Sequence, residues 1–358
     1  MSIFIAQLFP KDKVKDIKGA SQAGINFCHS FIEAINPARV FAYQLNSEQK
    51  KLHFDFGDDR IEYVVTRAFP HKGVFKGLNT VIENLRITGK VIRSGQKNIW
   101  FYNMTPQVML IFLILQFLTR KKCFVVVADF TPGIFRNKLA LMLLKRSSGI
   151  ISLTPELRKL IGEKCPVLVK AGIVNNVVQS NDEKEINRKN FLFSGSLGKY
   201  TGIDLALAAF SELPDMTLYV SGRGEGEKEV AEFSKRYPNI KHAGFLGYKE
   251  YIELLDQVDF VLSLRDTSLG KNLYNFPSKI IEYYIGSKIV ISTKRYTTLD
   301  DDTYVHCNYN KEELKKSTKQ VVSLPEDELR LMKNRANSFA RENFSYESWN
   351  QAVRSLEQ

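Results

Sequence analysis

The second half of the chain alternates short apolar segments with segments of helical periodicity, and this alternation constrains the fold more than any other feature. Each apolar segment has the length of a strand and is followed by turn residues and a helical pattern. Strands that alternate with helices indicate βαβ units, which build a parallel sheet. Strands are predicted at residues 190–195, 216–220, 240–243, 260–264 and 288–292, with helices at 203–210, 225–237 and 248–257 and a short one that begins at Ser278.

The first half repeats this scheme and predicts a second α/β domain. A polar segment, residues 175–190, is predicted to link the two domains. We therefore expect domains at residues 1–175 and 176–340 and a C-terminal helix, 341–358, that packs back on the first domain. The other predicted elements are strands at 2–7, 39–44, 98–102, 123–129 and 149–153, helices at 21–35, 78–92, 312–323 and 326–343, and a hairpin of 52–56 with 61–66.

Positive charge is concentrated in the first half. The 358-residue chain has a net charge of +12. Residues 1–175 contain 26 lysine and arginine residues against 12 carboxylates, a net of +14, so the remaining residues sum to −2. Such an excess suits either a solvated surface or an anionic partner. The candidate contact clusters are Lys11, Lys13 and Lys15, then Arg120, Lys121 and Lys122, and finally Lys145 and Arg146.

Several classes of protein do not fit the sequence. The four cysteines form no CxxC pair and the five histidines have no metal-ligand spacing, so neither a disulfide framework nor a metal site is predicted. The N-terminal residues lack the basic segment of a signal peptide. The longest apolar run, 108–118, is shorter than the roughly 20 residues that span a membrane, and it is predicted to be a buried core helix.

Ligands of open parallel sheets bind outside the carboxyl ends of the strands, so the residues that follow each strand are candidates for a site. Residues 194–202 (SGSLGKYTG) place three glycines and Lys199 before a helix, which suits an anion or an ordinary tight turn. Residues 222–226 form GxGxG rather than the dinucleotide fingerprint, and they indicate a turn that borders the ligand. Arg265 follows the strand at 260–264 and suits a phosphate or a surface pair with Asp266.

The short helix that begins with Ser278 and Lys279 carries Glu282 one turn later. Side chains four residues apart share a helix face and lie roughly 5–6 Å apart, which approximates the distance from a nucleotide's diphosphate to its ribose hydroxyls. Ser278 and Lys279 would hold the diphosphate at the helix start, and Glu282 would accept hydrogen bonds from the ribose. Ordinary helix capping with a solvated glutamate is the alternative. Because the helix follows a strand of the same sheet as residues 194–202, a nucleotide site is predicted.

Four segments in order, FSGSLGKYTGIDLALAAF, VSGRGEGEKE, GFLGYKEYIELLDQVDFVLSLRD and FPSKIIEYYIGSKIVIST, resemble the second domain of retaining glycosyltransferases of the GT-B fold, glycosyltransferase family 4 (glycosyl transferases group 1) in particular. The resemblance covers most of residues 191–291. It implies two Rossmann-like domains that face each other across a cleft, with closing C-terminal helices. Tyr274 stands where many members have a first glutamate, and Ser196 and Thr201 stand where many have arginine and lysine.

The resemblance also implies roles for individual residues. Glu282 would bind the ribose, and Ser278 and Lys279 would hold the diphosphate, with Lys279 also a catalytic candidate. Asp129 begins an Asp-x-x-Pro sequence after a strand and is a second catalytic candidate, with helix capping as the alternative. The other donor-binding candidates are Gly195, Ser196, Gly198, Lys199, Arg223, Arg265 and Pro277, and the acceptor-side candidates are Gly19, Gln22 and Asn103.

The predicted activity is hexosyl transfer from a UDP- or GDP-sugar, with retention of configuration, to a glycan or lipid-linked acceptor in cell-envelope polysaccharide synthesis. The sugar nucleotide is a substrate, and no cofactor, metal or nucleic acid is expected; Asp300–Asp302 are predicted to be a loop or a helix start. The expected location is the cytoplasm, peripheral on the inner face of an anionic membrane. A non-catalytic GT-B-like protein that binds a sugar nucleotide or acts as a scaffold is the alternative. A nucleic-acid-binding protein has only the net charge in its favour.

Overall fold

Two parallel sheets, each in its own compact unit, organise the chain. The computed structural model describes residues 1–10, 22–43, 56–64, 74–128, 130, 135–173, 185–273 and 278–358. One unit comprises Met1–Ile173 and Phe344–Gln358, and the other comprises Val174–Leu273 and Pro277–Asn343. All described strand pairs in both units are parallel, as the alternation of strands and helices predicts.

The first unit contains seven described strands in the order β3-β2-β1-β4-β5-β6-β7. Its central strands β1 and β5 are apolar and buried over most of their length because helices cover both faces of the sheet. The elements are β1 Ser2–Gln7, α1 Gln22–Ile35, β2 Arg39–Tyr43, β3 Ile61–Tyr63, α2 Val74–Arg93, β4 Asn98–Tyr102, α3 Pro106–Leu118, β5 Lys122–Val127, α4 Phe135–Leu144, β6 Gly149–Ser152, α5 Glu156–Ile161 and β7 Val167–Val169.

The second unit contains six described strands in the order β10-β9-β8-β11-β12-β13. Its core is formed by β-sheet residues such as Phe191 and Leu262 and by α6 residues such as Leu207, all less than 5% exposed. The elements are β8 Asn190–Ser196, α6 Ile203–Phe210, β9 Thr217–Arg223, α7 Glu227–Arg236, β10 Ile240–Gly244, α8 Tyr248–Leu255, β11 Phe260–Ser263, α9 Lys279–Ile285, β12 Ile289–Ser292, β13 Tyr304–His306, α10 Lys311–Ser323 and α11 Glu326–Phe344; α12, Tyr346–Glu357, belongs to the first unit.

Alternating side chains of the first sheet face two different helical layers. One face packs against α2, α3, α4 and α5 through an aliphatic core. On the other face, Phe31 of α1 lies 5.8 Å from the Trp100 ring and 5.9 Å from the Trp349 ring of α12. The Trp100 indole N–H also donates to the Glu357 carboxylate at 2.8 Å. Aromatic packing and this hydrogen bond therefore hold the C-terminal helix on the first unit.

The structure corrects three details of the predicted elements. Strands β7 and β13 were not predicted, because three residues are too few to establish a periodicity. The predicted hairpin is wrong in its described half, since Ile61–Tyr63 pairs in parallel with β2; residues 52–55 lie outside the described part. Helix α3, predicted to be a buried core helix, is buried on one side only. Its neighbours α2 and α4 do not cover its outer side, where Phe117 is 53% exposed. Within the described residues, no helix combines the length and apolar character of a membrane span.

Candidate functional site

The second sheet reverses its direction of growth between β8 and β11. The chain passes from β8 through β9 to β10 at one edge, and then returns to β11 beside β8 and continues to β12 and β13. Open α/β sheets bind their ligands in the crevice at such a switch point. The segments that follow β8 and β11 flank this crevice, and α9 begins shortly after the second of them. The predicted site residues of the second unit therefore converge on one end of the sheet.

The glycines at 222–226 allow two backbone segments to lie unusually close together. Gly222 pairs with Gly195 in the β8–β9 ladder, and a Cβ atom on Gly222 would lie 1.8 Å from the Gly195 carbonyl oxygen. The Gly226 N–H donates to the Leu197 carbonyl at 2.7 Å. This packing accounts for the glycines of the GxGxG sequence, of which Gly222 and Arg223 end β9 and residues 224–226 form the turn before α7.

Replacing Gly222 with alanine is expected to lower the free energy of unfolding by about 3 kcal/mol, because the added methyl would overlap the Gly195 backbone and φ is +146°. Urea denaturation followed by circular dichroism measures the change. Gly244→Ala is the matched control, because φ there is +68° but no atom lies within 4 Å of the added Cβ. Equal losses in the two variants would contradict the steric explanation.

Lys279 is held over the end of the sheet by contacts from two directions. Its ammonium donates to the Ser194 hydroxyl at the end of β8, with a distance of 2.7 Å. The same Nζ lies 4.0 Å from the centroid of the Tyr251 ring on α8. Burial lowers the pKa of Lys279, and the nearby Glu282 charge opposes that shift. Among the described residues no carboxylate lies within 4.0 Å of the ammonium, so two of its three protons remain available to an anion.

Glu282 lies one turn along α9 and is linked to the same tyrosine. The Tyr251 hydroxyl donates to the Glu282 carboxylate at 3.3 Å. Glu282 is exposed at the helix surface, although protein atoms around its carboxyl raise its pKa, with the Lys279 charge and the Tyr251 hydrogen bond acting in the opposite direction. The Glu282 carboxylate can therefore accept further hydrogen bonds from a ligand.

Ser278 immediately precedes the first residue of α9 and is partly exposed. Its side chain makes no capping hydrogen bond. The alternative interpretation of Ser278 as an ordinary helix cap is therefore not supported. Pro277, the preceding donor candidate, lies outside the described residues.

Four further donor candidates lie at the end of β8 and in the segment that follows it. Gly195 has φ +143°, and Gly198 packs against the Tyr200 ring. The Ser196 hydroxyl is 2.9 Å from the Tyr200 hydroxyl. The Lys199 backbone N–H is 3.4 Å from the Glu225 carboxylate, and its side chain is exposed. Thr201 is buried and donates to the Ser196 carbonyl at 2.8 Å, so its hydroxyl shapes the loop.

Arg265 follows β11 and differs from Arg223, the other arginine candidate. The predicted alternative, a pair between Arg265 and Asp266, is absent from the described contacts, since the Asp266 carboxylate accepts from the Ser268 N–H and hydroxyl. The Arg265 backbone is fixed through its N–H to the Thr293 hydroxyl at 2.7 Å. Arg223, by contrast, lies at the exposed end of β9 with its guanidinium 4.5 Å from the Phe245 ring. Arg265 therefore starts from a fixed backbone position beside the switch point, whereas Arg223 lies one strand away from it.

The residues predicted on the acceptor side can be placed only in part. Asn103 follows β4 with φ +55°, and its side-chain oxygen accepts from the Ala128 N–H at 2.8 Å, so it ties the ends of β4 and β5 together. Gln22 is the first residue of α1, and its side chain is not described. Gly19 and Asp129 lie outside the described residues.

The acidic run at 300–302 forms the loop between β12 and β13. Asp301 pairs with Arg295 at 3.3 Å, and Asp302 pairs with Arg335 at 3.0 Å. Two of the three carboxylates therefore have cationic partners within the protein. Across the described part of the chain, no group of three or more histidine, cysteine, aspartate or glutamate side chains could hold a metal ion.

Three contributors to the site were not identified from the sequence. Tyr251 bridges Lys279 and Glu282 from α8, and Ser194 binds Lys279 from the end of β8. Asn272 is buried and donates to the carbonyls of Tyr200 and Asp266, both at 2.9 Å, which joins the two loops of the switch point. Only Ser194, the first residue of the candidate segment 194–202, could have been found from its position in the sequence. Tyr251 and Asn272 contribute through contacts with residues distant in sequence.

Residues 178–338 match the family model described as glycosyl transferases group 1. No curated protein sequence matches the chain. The matched range contains the whole described sheet of the second unit, and it also contains Lys279 and its contact residues Ser194, Tyr251 and Glu282.

Solved structures share the fold of nearly the whole chain. The N-terminal domain of trehalose-6-phosphate phosphatase from Candida albicans has a TM-score of 0.73 and 13% identity, with 99% of this chain and 96% of that one covered. HepE of Anabaena in complex with UDP-glucose has a TM-score of 0.70 and 14% identity, covering 99% and 98%. A trehalose-6-phosphate structure from E. coli, bound with UDP-2-fluoro glucose, has a TM-score of 0.72 and 8% identity, covering 100% and 99%. The fold is GT-B, and with the family match it identifies the chain as a glycosyltransferase.

Proposed function

We propose that the protein transfers a sugar from a UDP- or GDP-sugar, with retention of configuration, to a lipid-linked glycan of cell-envelope polysaccharide synthesis. The observation that carries this proposal is the cluster of Lys279, Ser194, Tyr251 and Glu282 at the switch point of the second sheet. It places a cation and a carboxylate one helical turn apart, as the diphosphate and the ribose of a sugar nucleotide require.

The proposed chemistry depends on charge that develops on the leaving group. When the bond from the anomeric carbon to the diphosphate breaks, negative charge accumulates on the leaving phosphate oxygen. Preorganised cations stabilise such charge because they need no reorganisation during the reaction. Lys279 is oriented by the Ser194 hydroxyl and the Tyr251 ring before any ligand arrives. Arg265 and Lys199 would add positive charge from the two flanking segments.

The donor and the stereochemistry are supported by the neighbours in fold. HepE was solved with UDP-glucose, and a study of trehalose-6-phosphate synthase with the same fold concerns glycosyl transfer with retention. We assign this chain to glycosyltransferase family 4 by the resemblance of residues 191–291. The +14 charge of residues 1–175 supports an acceptor at an anionic membrane surface, with the protein peripheral on its cytoplasmic side.

A non-catalytic role as a sugar-nucleotide-binding scaffold is the second candidate. The observation in its favour is the position of Ser196 and Thr201, whose hydroxyls bond to Tyr200 and to loop carbonyls where many family members have cationic side chains. Nucleoside diphosphate release from a panel of UDP-, GDP- and ADP-sugars separates the two roles. An enzyme releases the diphosphate from at least one donor, whereas a scaffold raises its melting temperature with a donor but releases nothing.

Sugar transfer is expected to survive EDTA. Lys279, with Arg265 and Lys199, supplies positive charge at the predicted diphosphate site, and Asp301 and Asp302 are already paired with arginines. The measurement is the rate of nucleoside diphosphate release with and without EDTA, and then after Mn²⁺ is added back. Complete loss that Mn²⁺ restores would contradict this expectation and would make Asp300 and Asp302 candidate ligands.

A further inference from the structure

Three neighbouring helices of the first unit leave large apolar side chains in solvent. Helices α2, α3 and α4 pack side by side on one face of the sheet. Of the thirteen exposed large hydrophobic residues in the described chain, nine lie on these helices, so the exposure is concentrated on one surface. We call the exposed large hydrophobic side chains of α2, α3 and α4 the outer helix surface; they include Leu85, Leu113, Phe117, Leu139 and Met142. Contiguous exposed apolar area of this kind marks an interaction site.

Helix α2 buries Ile87 and Val91 in the core but carries a second apolar stripe on its solvent side, where an ordinary surface helix is polar. Leu78, Val81 and Leu85 are spaced by three and four residues and are between 42% and 51% exposed. Asn79 and Glu83 on the inner side are buried, at 0% and 6% exposure. Packing of the described core therefore does not explain the outward stripe.

A cationic pocket of about 460 Å³ opens beside this surface. Lys138, Leu141, Met142 and Lys145 are spaced by three, four and seven residues and form one stripe of α4. Lys164 contributes from the turn after α5, and the guanidinium of Arg146 donates to the Met142 carbonyl at 3.3 Å. The lining thus combines four cations with two apolar side chains and contains no carboxylate.

The charge of the surrounding sequence matches the pocket. Residues 74–146, which include the three helices, contain twelve lysine and arginine residues and only two carboxylates, Asp129 and the buried Glu83. The predicted cluster at 120–122 contributes less than its charge suggests, because Lys121 donates to the Gln96 carbonyl and Lys122 to the last two carbonyls of the chain. Lys90 at the end of α2 pairs with Glu62, so the cations that have no carboxylate partner among the described contacts include those of the α4 pocket.

We propose that the outer helix surface enters one leaflet of an anionic membrane and that the α4 pocket binds the phosphate headgroup of an anionic phospholipid. Apolar side chains next to lysines and arginines are the pattern of interfacial membrane binding, in which the hydrocarbon takes the apolar groups and the headgroups take the cations. The pocket lies near the start of β6, at the end of the sheet where the strands begin, which is opposite the carboxyl ends of the strands. It is therefore separate from the predicted acceptor residues, and the inference shares with the proposed function only a membrane-bound acceptor.

Vesicle co-sedimentation of the full chain, without any sugar nucleotide, tests the pocket. The protein is expected to bind vesicles of equal parts phosphatidylcholine and phosphatidylglycerol at low salt and not vesicles of phosphatidylcholine alone. Joint replacement of Lys138, Lys145 and Lys164 by alanine is expected to lower the partition constant about 10²-fold. The control replaces Lys228, Lys235 and Lys241, three exposed lysines of the second unit, and is expected to bind as the wild type does.

A fluorescent probe tests entry of the outer helix surface into the leaflet. All four native cysteines are buried, so Phe117→Cys can be labelled selectively with a polarity-sensitive dye. The emission is expected to shift to shorter wavelength with anionic vesicles, whereas Leu331→Cys on α11, 48% exposed, is expected to show no shift.

Three outcomes would overturn the proposal. They are equal binding to neutral and anionic vesicles, unchanged binding by the folded pocket variant, and identical emission of the two labelled variants. Release of the protein by inorganic phosphate at constant ionic strength, with no shift at position 117, would assign the pocket to a soluble phosphate instead. The vesicle assays contain no sugar nucleotide and are separate from the measurement of nucleoside diphosphate release, so failure of the membrane site and failure of the proposed transfer reaction are distinguishable.

Discussion

Replacement of Lys279 by alanine is expected to lower the rate of sugar transfer about 10²- to 10³-fold, which is the cost of removing one preorganised group that stabilises transition-state charge. The ammonium is oriented by Ser194 at 2.7 Å and by the Tyr251 ring, so its loss removes charge from one fixed position at the switch point. Because burial lowers the pKa of Lys279, neutralisation of the buried charge also carries little cost to folding. The rate of nucleoside diphosphate release and the melting temperature measure the two effects.

The control for this variant is Lys249→Ala, which removes a lysine that is 90% exposed on α8, the helix that carries Tyr251. It is expected to leave the rate unchanged, since surface charges contribute little to a site they do not contact. Full activity of folded Lys279→Ala would remove the centre of the proposed chemistry. A similar drop in both variants would indicate a general effect of net charge.

Replacement of Glu282 by alanine is expected to weaken binding of UDP about ten- to a hundredfold. A hydrogen bond to a charged group contributes roughly 1.5–3 kcal/mol, and the exposed Glu282 carboxylate is proposed to accept such bonds from the ribose diol. The side chain is at the helix surface, and within the described part of the chain it accepts one hydrogen bond, from the Tyr251 hydroxyl at 3.3 Å, so the fold should persist. Isothermal titration calorimetry with UDP, or with GDP if that is the preferred nucleotide, measures the affinity.

A modified nucleotide tests directly whether Glu282 binds the ribose hydroxyls. A diphosphate whose ribose lacks both hydroxyls should bind the wild type and Glu282→Ala with nearly equal affinity, because the interaction in question is then missing from both complexes. Glu253→Ala, which removes an exposed glutamate from α8, controls for net charge. An unchanged affinity of Glu282→Ala for the intact nucleotide, or the same loss with the modified one, would refute the ribose assignment.

The sequence predicts the α/β class and the parallel sheets well because long apolar strands and helical periodicity are local signals. Strands such as β5 and β8 carry uninterrupted apolar runs, as buried parallel strands must. The three-residue strands β7 and β13 depend on pairing with β6 and β12, which no local pattern reveals. The exposure of α3 could not be predicted either, because its sequence is apolar on all sides and only its neighbours decide which side is covered.

For the site, motif spacing placed Lys279 and Glu282 on α9 but not the residues that orient them. The contact of Lys279 with Ser194 joins residues 85 positions apart, and the bond from Tyr251 to Glu282 spans 31 positions. Such contacts arise from sheet order, which brings β8 beside β11. The glycines of the GxGxG segment are a local signal with a non-local cause, since the nearby backbone of Leu197 and Gly195 leaves no room for a Cβ atom.

The most direct test of the account is the rate of nucleoside diphosphate release from UDP- and GDP-sugars, in the presence of a membrane lipid extract and EDTA, by the wild type and Lys279→Ala. The account predicts release from at least one donor by the wild type, a product that retains the anomeric configuration, and a rate about 10²-fold or more lower in the variant. Equal rates in the two proteins, or no release by a wild type whose melting temperature the donor raises, would contradict the claim that this cluster catalyses sugar transfer.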